Sequence, residues 1–349
     1  MLALRAPTDE TGPTLATLWK AELGNYATAL DWSSDGALCA VGSASGEVSI
    51  FDGKSGALHA RLPAHPGGVL ALAWCPGKRC LATAGQDGRA RLYNAGDGAL
   101  LATLPGVAAW VEHLAWSPDG KTLATSSGKV VRLWRANGAP LLETEPHRST
   151  VTGLAWNRKG TQLATACYGG LNFWAVRSGA KARTLPFQGS LISLAWSPDD
   201  KVIACGSQDC SVHFWRLSTG NDSAMQGYPS KPRSLAWDTG ATLLATGGEA
   251  TITVWKFSGR GPEGSTPILL AGHEATITDL VFSRRGSRLA SGAKDARVIV
   301  WEPRQSTEPV AVGSMNGVVS HVRFRPNHDQ ITGVDASGRV VTWAIEPLS

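Results

Sequence analysis

Gly272–Trp301, GHEATITDLVFSRRGSRLASGAKDARVIVW, holds three short apolar runs separated by turn-prone residues. ATITDLVF, SRLASG and ARVIVW are rich in β-branched residues, while Ser283-Arg284-Arg285-Gly286 and Ala293-Lys294-Asp295-Ala296 break them. Runs of this length with such punctuation predict three consecutive antiparallel strands. A second layer lies on this frame: His273, Ser291, Asp295 and Trp301.

Working outward, the same punctuation recurs. An aromatic residue closes a run before a polar turn at Trp32, Trp74, Trp116, Trp156, Trp196, Trp237, Phe282 and Phe324, at intervals of 40 to 45 residues. A second aromatic follows each after 18 or 19 residues, at Phe51, Tyr93, Trp134, Trp174, Trp215, Trp255, Trp301 and Trp343. Between the two sit a turn such as SPDG or NRKG and a strand of the LATAG or LASG type. Twelve of the 14 tryptophans thereby fall at repeated core positions, which accounts for their excess over 7 Phe and 4 Tyr. A fixed period of this size marks an array of supersecondary units, so the 349 residues read as one repeat domain rather than the two that length alone suggests.

The pattern of Gly272-His273, Ser291, Asp295 and Trp301 resembles the WD40 repeat, and the resemblance extends from about Thr14 to Trp343. It implies an all-β propeller of eight four-stranded blades. It also implies that His, Ser or Thr, Asp and Trp of one blade form a buried hydrogen-bonded chain, since each is costly to bury unless the others satisfy it. Two units keep the set, His65, Thr83 and Asp87 with Tyr93, and His273, Ser291 and Asp295 with Trp301. Elsewhere the His place holds His147, Leu23, Val107, Phe187, Tyr228 or Met315, and the Asp place holds Asp209, Ser45, Gly128, Tyr168, Glu249 or Ser337. These other blades are expected to rely on apolar packing between blades. The Trp-Asp dipeptide of the family is nearly absent, Phe51-Asp52 and Tyr93-Asn94 coming nearest.

Naming the strands of a unit a to d in chain order, each unit supplies three and the segment leading to the next supplies the outer strand d. The last unit stops at Trp343 and lacks one. TLATLWKAEL, Thr14–Leu23, has no hairpin partner nearby and resembles ALLATLPG. The N-terminal strand is therefore expected to pair into the last blade and close the ring, which leaves no open sheet edge. On this reading residues 14–345 are the propeller, with tails at 1–13 and 346–349.

MLALRAPTDETGPT lacks the apolar core of a signal peptide, and no run is long enough for a membrane helix. Six cysteines are too few for a disulfide scaffold in so long a chain. A cytoplasmic, monomeric protein without membrane contact is expected. The glycines fall at turns, as at Gly85, Gly88, Gly247 and Gly248, and not in a phosphate-cradling loop. Ser291, His273 and Asp295 are the residue types of a nucleophilic triad, but the resemblance puts them inside a blade, so neither catalysis nor a cofactor is expected. The alternative is a small-ligand or metal site, either at the channel mouth, where His113, Asp279 and His321 hold equivalent strand a positions, or at the turns bearing Cys75, Cys80, Cys205 and Cys210. Those cysteine pairs lack the short spacing and nearby His of zinc sites.

The favoured functional reading is a scaffold or adaptor for other proteins or peptides. The face built by the b–c and d–a connections carries the candidate partner residues Gln86, Trp110, Glu112, Tyr168, Gln208, Lys231, Arg233, Glu249, Glu274 and Lys294. Trp110, flanked by charge, fits an interface anchor, while Val111 beside it also allows burial between blades. The opposite face, of a–b turns and c–d connections, concentrates the basic excess behind the net charge of +5 and suits an acidic partner. Nucleic acid is not expected, because aromatic residues for base stacking are missing there.

Overall fold

The computed structural model describes residues 13–107, 110–259, 261–284 and 288–345, all as strands, turns and connections. Apart from Pro13, the two expected tails lie outside the described residues. The three runs of Gly272–Trp301 form Ile277–Phe282, Leu289–Ala293 and Arg297–Trp301, and Ala311–Ser314 adds the outer strand. Eight such sheets follow one another, each hydrogen-bonded in the order a to d. Blade four differs in that b and c run together as Gln162–Ala175. The chain still folds back there, with Thr165 Oγ1 donating to Asn172 O. Its turn, Tyr168-Gly169-Gly170, pairs with a lengthened outer strand, Lys181–Ser190. Gly170 has φ +122, and a Cβ there would run into Leu185 O, so only glycine fits.

The b strands are buried almost throughout, and Leu38–Ser43 and Cys80–Gly85 along their whole length, because neighbouring blades cover both faces. Outer strands such as Leu100–Pro105 bury little. The apolar clusters bridge blades: Leu243 and Ile252 of blade six pack with Ile277, Phe282 and Trp301 of blade seven. The repeated strand a aromatics do more than fill this core. Trp74, Trp116, Trp156 and Trp237 donate their indole N–H to Asp31 O, Ala73 O, Ala115 O and Ala195 O of the preceding blade at 2.9–3.2 Å.

Ring closure follows the expected plan. Ala16–Glu22 pairs antiparallel with Arg339–Ala344, Ala16 opposite Ala344 and Glu22 opposite Arg339. Just before it, Leu15 N donates to Val312 O and Val312 N to Pro13 O, which joins the segment in parallel to the outer strand of blade seven. Trp19, which the repeat does not require, donates its indole N–H to Gly53 O of blade one and meets Trp32 edge-on. The N-terminal segment therefore touches blades seven, eight and one.

Candidate functional site

In blade seven, His273 Nδ1 lies 2.9 Å from Asp295 Oδ2 and Nε2 lies 2.7 Å from Ser291 Oγ, which also accepts the Trp301 indole N–H at 2.8 Å. Asp295 accepts the Glu274 and Arg297 amides as well. Burial opposes the Asp295 charge, but His273 and these amides hold the carboxyl below its ordinary range. The distances suit a catalytic triad, yet Ser291 and Trp301 are fully buried, so no substrate reaches Ser291 Oγ and the chain acts as a brace. Blade two repeats it with His65 2.8 Å from both Asp87 and Thr83. There Arg91 takes the other Asp87 oxygen at 2.7 Å.

Four of the other six blades, three, four, six and eight, correct the expectation of apolar packing alone. In blade four, Thr165 Oγ1 accepts the Trp174 indole N–H and lies 2.8 Å from His147 Nε2, whose Nδ1 faces Lys129 O. In blade six, Tyr228 replaces His: its hydroxyl accepts the Trp255 indole N–H at 2.7 Å and meets Thr246 Oγ1 at 2.8 Å. Trp134 donates to Thr125 Oγ1 in blade three. In blade eight, buried Asp335, two residues ahead of Ser337, accepts the amides of Asn316, Gly317, Ser337 and Arg339. Alignment by position puts Tyr228 at the His place without showing that its phenol can close the network, and it misses Asp335 because that carboxylate has moved along the chain.

The structure does not bring His113, Asp279 and His321 together. His321 Nδ1 lies 3.3 Å from Asp279 Oδ2, but the third neighbour is the Arg323 guanidinium at 2.6 Å, with Val322 N at 3.0 Å. Among the described residues no group of three or more His, Cys, Asp and Glu is placed to hold a metal. His113 stands on the inner strand of blade three, which packs against the inner strands of blades two and four. At the cysteine turns, Cys75 Sγ is directed to Gly120 O, and all six thiols are free. Burial opposes the Asp279 charge, but Arg323, His321 and the Val322 amide outweigh it and hold the carboxyl down at about 2. His321 Nε2 also reaches Thr28 O of blade one at 2.9 Å. Charge thus ties blade eight to blade seven, where Phe324 has no indole N–H to donate. Burial pulls the His113 pKa down and pushes that of Asp31 up, against the Trp74 amide and Arg323.

Two larger grooves open on the face of b–c and d–a connections. One of about 900 Å³ lies between blades two and three, where Trp110 stands with Gln86, Arg89, Val107 and Glu112. Trp110 is 52% exposed and is not buried between blades. The other, of about 560 Å³, joins blades five to seven through Lys231, Arg233, Glu249 and Lys294. Tyr168 lines a third hollow of about 190 Å³ with Arg148 and Lys181. Gln208 and Glu274 are exposed and line none of these. On the opposite face several cations are already paired, Arg216 with Glu263, Arg288 with Glu302 and Arg304 with Asp238.

Residues 14–75 match the family described as the anaphase-promoting complex subunit 4 WD40 domain. Residues 98–135, 138–174, 180–216 and 264–302 match the WD domain, G-beta repeat family. The chain is 36% identical over 72 residues to the Denticleless protein homolog of Danio rerio; the match takes in 20% of this chain and 11% of that protein, so it concerns a small part of that relative. The crystal structure of the computationally designed Ika8 protein superposes with a TM-score of 0.81 at 22% identity, covering 96% of this chain and 100% of that one, a likeness of fold. With eight blades in a closed ring and family matches over more than half its length, the chain belongs to the WD40-repeat β-propeller family.

Proposed function

We propose that this propeller is a non-catalytic scaffold or adaptor that binds other proteins through the face of b–c and d–a connections. The observation that carries the reading is Trp110, 52% exposed in a groove of about 900 Å³ with Gln86, Arg89 and Glu112 around it. A large aromatic ring ringed by polar side chains is the usual make-up of an interface hot spot, where removal of water around one anchor supplies most of the affinity. The closed braces of blades two and seven favour a rigid platform over chemistry. A cytoplasmic setting agrees with six unpaired thiols, and a single chain already closes every blade. The basic face has less support as a docking surface, since several of its cations are paired within the protein.

Affinity capture from cells of the source organism, read by mass spectrometry, tests this with wild type, Trp110→Ala and Arg233→Ala. Specific partners should be lost from at least one variant. Retention of every partner by both would remove this face from the reading.

A further inference from the structure

The groove of blades five to seven differs in chemistry from the one around Trp110. Lys231 and Arg233 stand on the entrance to blade six on either side of buried Pro232, Glu249 stands on its b–c turn, and Lys294 stands on the b–c turn of blade seven. The entrance lies close against the b–c turn because Gly248 has no side chain: a Cβ there would come within 3.1 Å of Ser230 O and Lys231 O. The position of Glu249 follows from the blade six network. Tyr228 closes that network with Thr246 and Trp255, so no turn carboxylate is needed. Glu249 holds the place of Asp87 and Asp295, yet its carboxylate makes no hydrogen bond among the described residues, and it remains in the groove.

Lys231, Arg233 and Lys294 form no ion pair among the described residues, whereas Arg91, Arg132 and Arg323 elsewhere are each held by a carboxylate. The groove thus offers three uncompensated cations against one acid. It has no aromatic lining residue on which a nucleic acid base could stack, so the matching anion is better carried by a peptide. Two of the three cations are lysines, point charges without the planar fork that grips one phosphoryl group in two places. They also sit on different blades, which suits charges spaced along an extended chain rather than a single dianion.

We propose that this groove docks an acidic peptide segment of a partner protein, with Asp or Glu side chains set against Lys231, Arg233 and Lys294. The inference rests on the scaffold reading and names the chemistry of one partner. Glu249 acts as a discriminator, since it repels an acid placed too deep. Binding weakens with salt because these charges are open to solvent.

A labelled hexaglutamate peptide, followed by fluorescence anisotropy with the full chain, tests the groove. Hexaglutamate binds saturably at low ionic strength and hexaglutamine does not, and the Lys231→Ala, Arg233→Ala, Lys294→Ala protein binds at least about tenfold more weakly. Glu249→Gln strengthens binding. If the triple variant melts early, Arg233→Glu with Lys294→Glu replaces it, both positions being exposed. Equal binding of hexaglutamine, undiminished binding by the groove variants, or loss on Lys54→Ala, Arg158→Ala, Lys159→Ala of the opposite face would overturn the proposal. So would tighter binding of an oligothymidylate or of a hexapeptide bearing one phosphoserine. Failure here, with partners still lost on Trp110→Ala, would leave the scaffold reading standing.

Discussion

Asp295 and Glu249 occupy the same place in the repeat and carry different loads. Asp295 accepts from His273 and from two amides, so Asp295→Ala strands a buried imidazole and should cost about 2–3 kcal/mol. Glu249→Ala removes a side chain without a hydrogen bond and should cost under about 0.5 kcal/mol. Urea melts compare the two, and equal costs would show that the brace is not formed. Asp279 adds a pH signature. Its folded value of about 2 lies below the ordinary 3.8, so the folded state favours the charged form. Its contribution is complete above the ordinary value and is lost as the pH falls through about 2, for a total on the order of 2 kcal/mol. Asp279→Asn should flatten the fall in urea midpoint between about pH 4 and pH 2, and an unchanged acid limb would sink this assignment. His273, Ser291, Asp295 and Trp301 were legible because they recur at fixed spacing. Tyr228 and Asp335 were not, since one replaces a residue type and the other moves by two positions.

The strands were legible from their aromatic ends, but the sides they present were not. Five inner strands shift register at one equivalent place, between Ala27 and Ala29, Val69 and Ala71, Val111 and His113, Ile277 and Asp279, and Val319 and His321. A bulge puts an extra residue into one strand and breaks the two-residue alternation from which sidedness is read. His113, Asp279 and His321 each follow this bulge and stay equivalent in the repeat, but spacing does not show that Arg323 takes the place beside Asp279 and His321. The blade four turn gives the element-scale test. Gly170, at φ +122, faces Leu185 O, whereas Gly77, at φ +68, has no atom within 4 Å of an added Cβ. Gly170→Ala should cost upwards of about 2 kcal/mol and Gly77→Ala about 1 kcal/mol. Thermal melts that rank them the other way would mean that the turn rearranges freely.

Across the whole molecule, period and count determined a ring before any contact was known, and the unmatched first strand showed where it closes. The parallel pairing of Pro13–Leu15 with blade seven went unseen, because three residues carry no periodic signal. Deletion through Glu22 should lower the melting temperature sharply and promote aggregation, because it bares Arg339–Ala344 and removes Leu15 and Trp19 from their cores. A truncated protein that melts like the full chain would refute closure by this strand. The same clasp sets a timetable. Ala16 and Ala344 are partners at nearly the full length of the chain, a contact of the kind that slows folding. During synthesis the first strand emerges long before its partner and must wait unpaired while the blades stack behind it. A chain arrested just short of Arg339 has most of its blades and no ring.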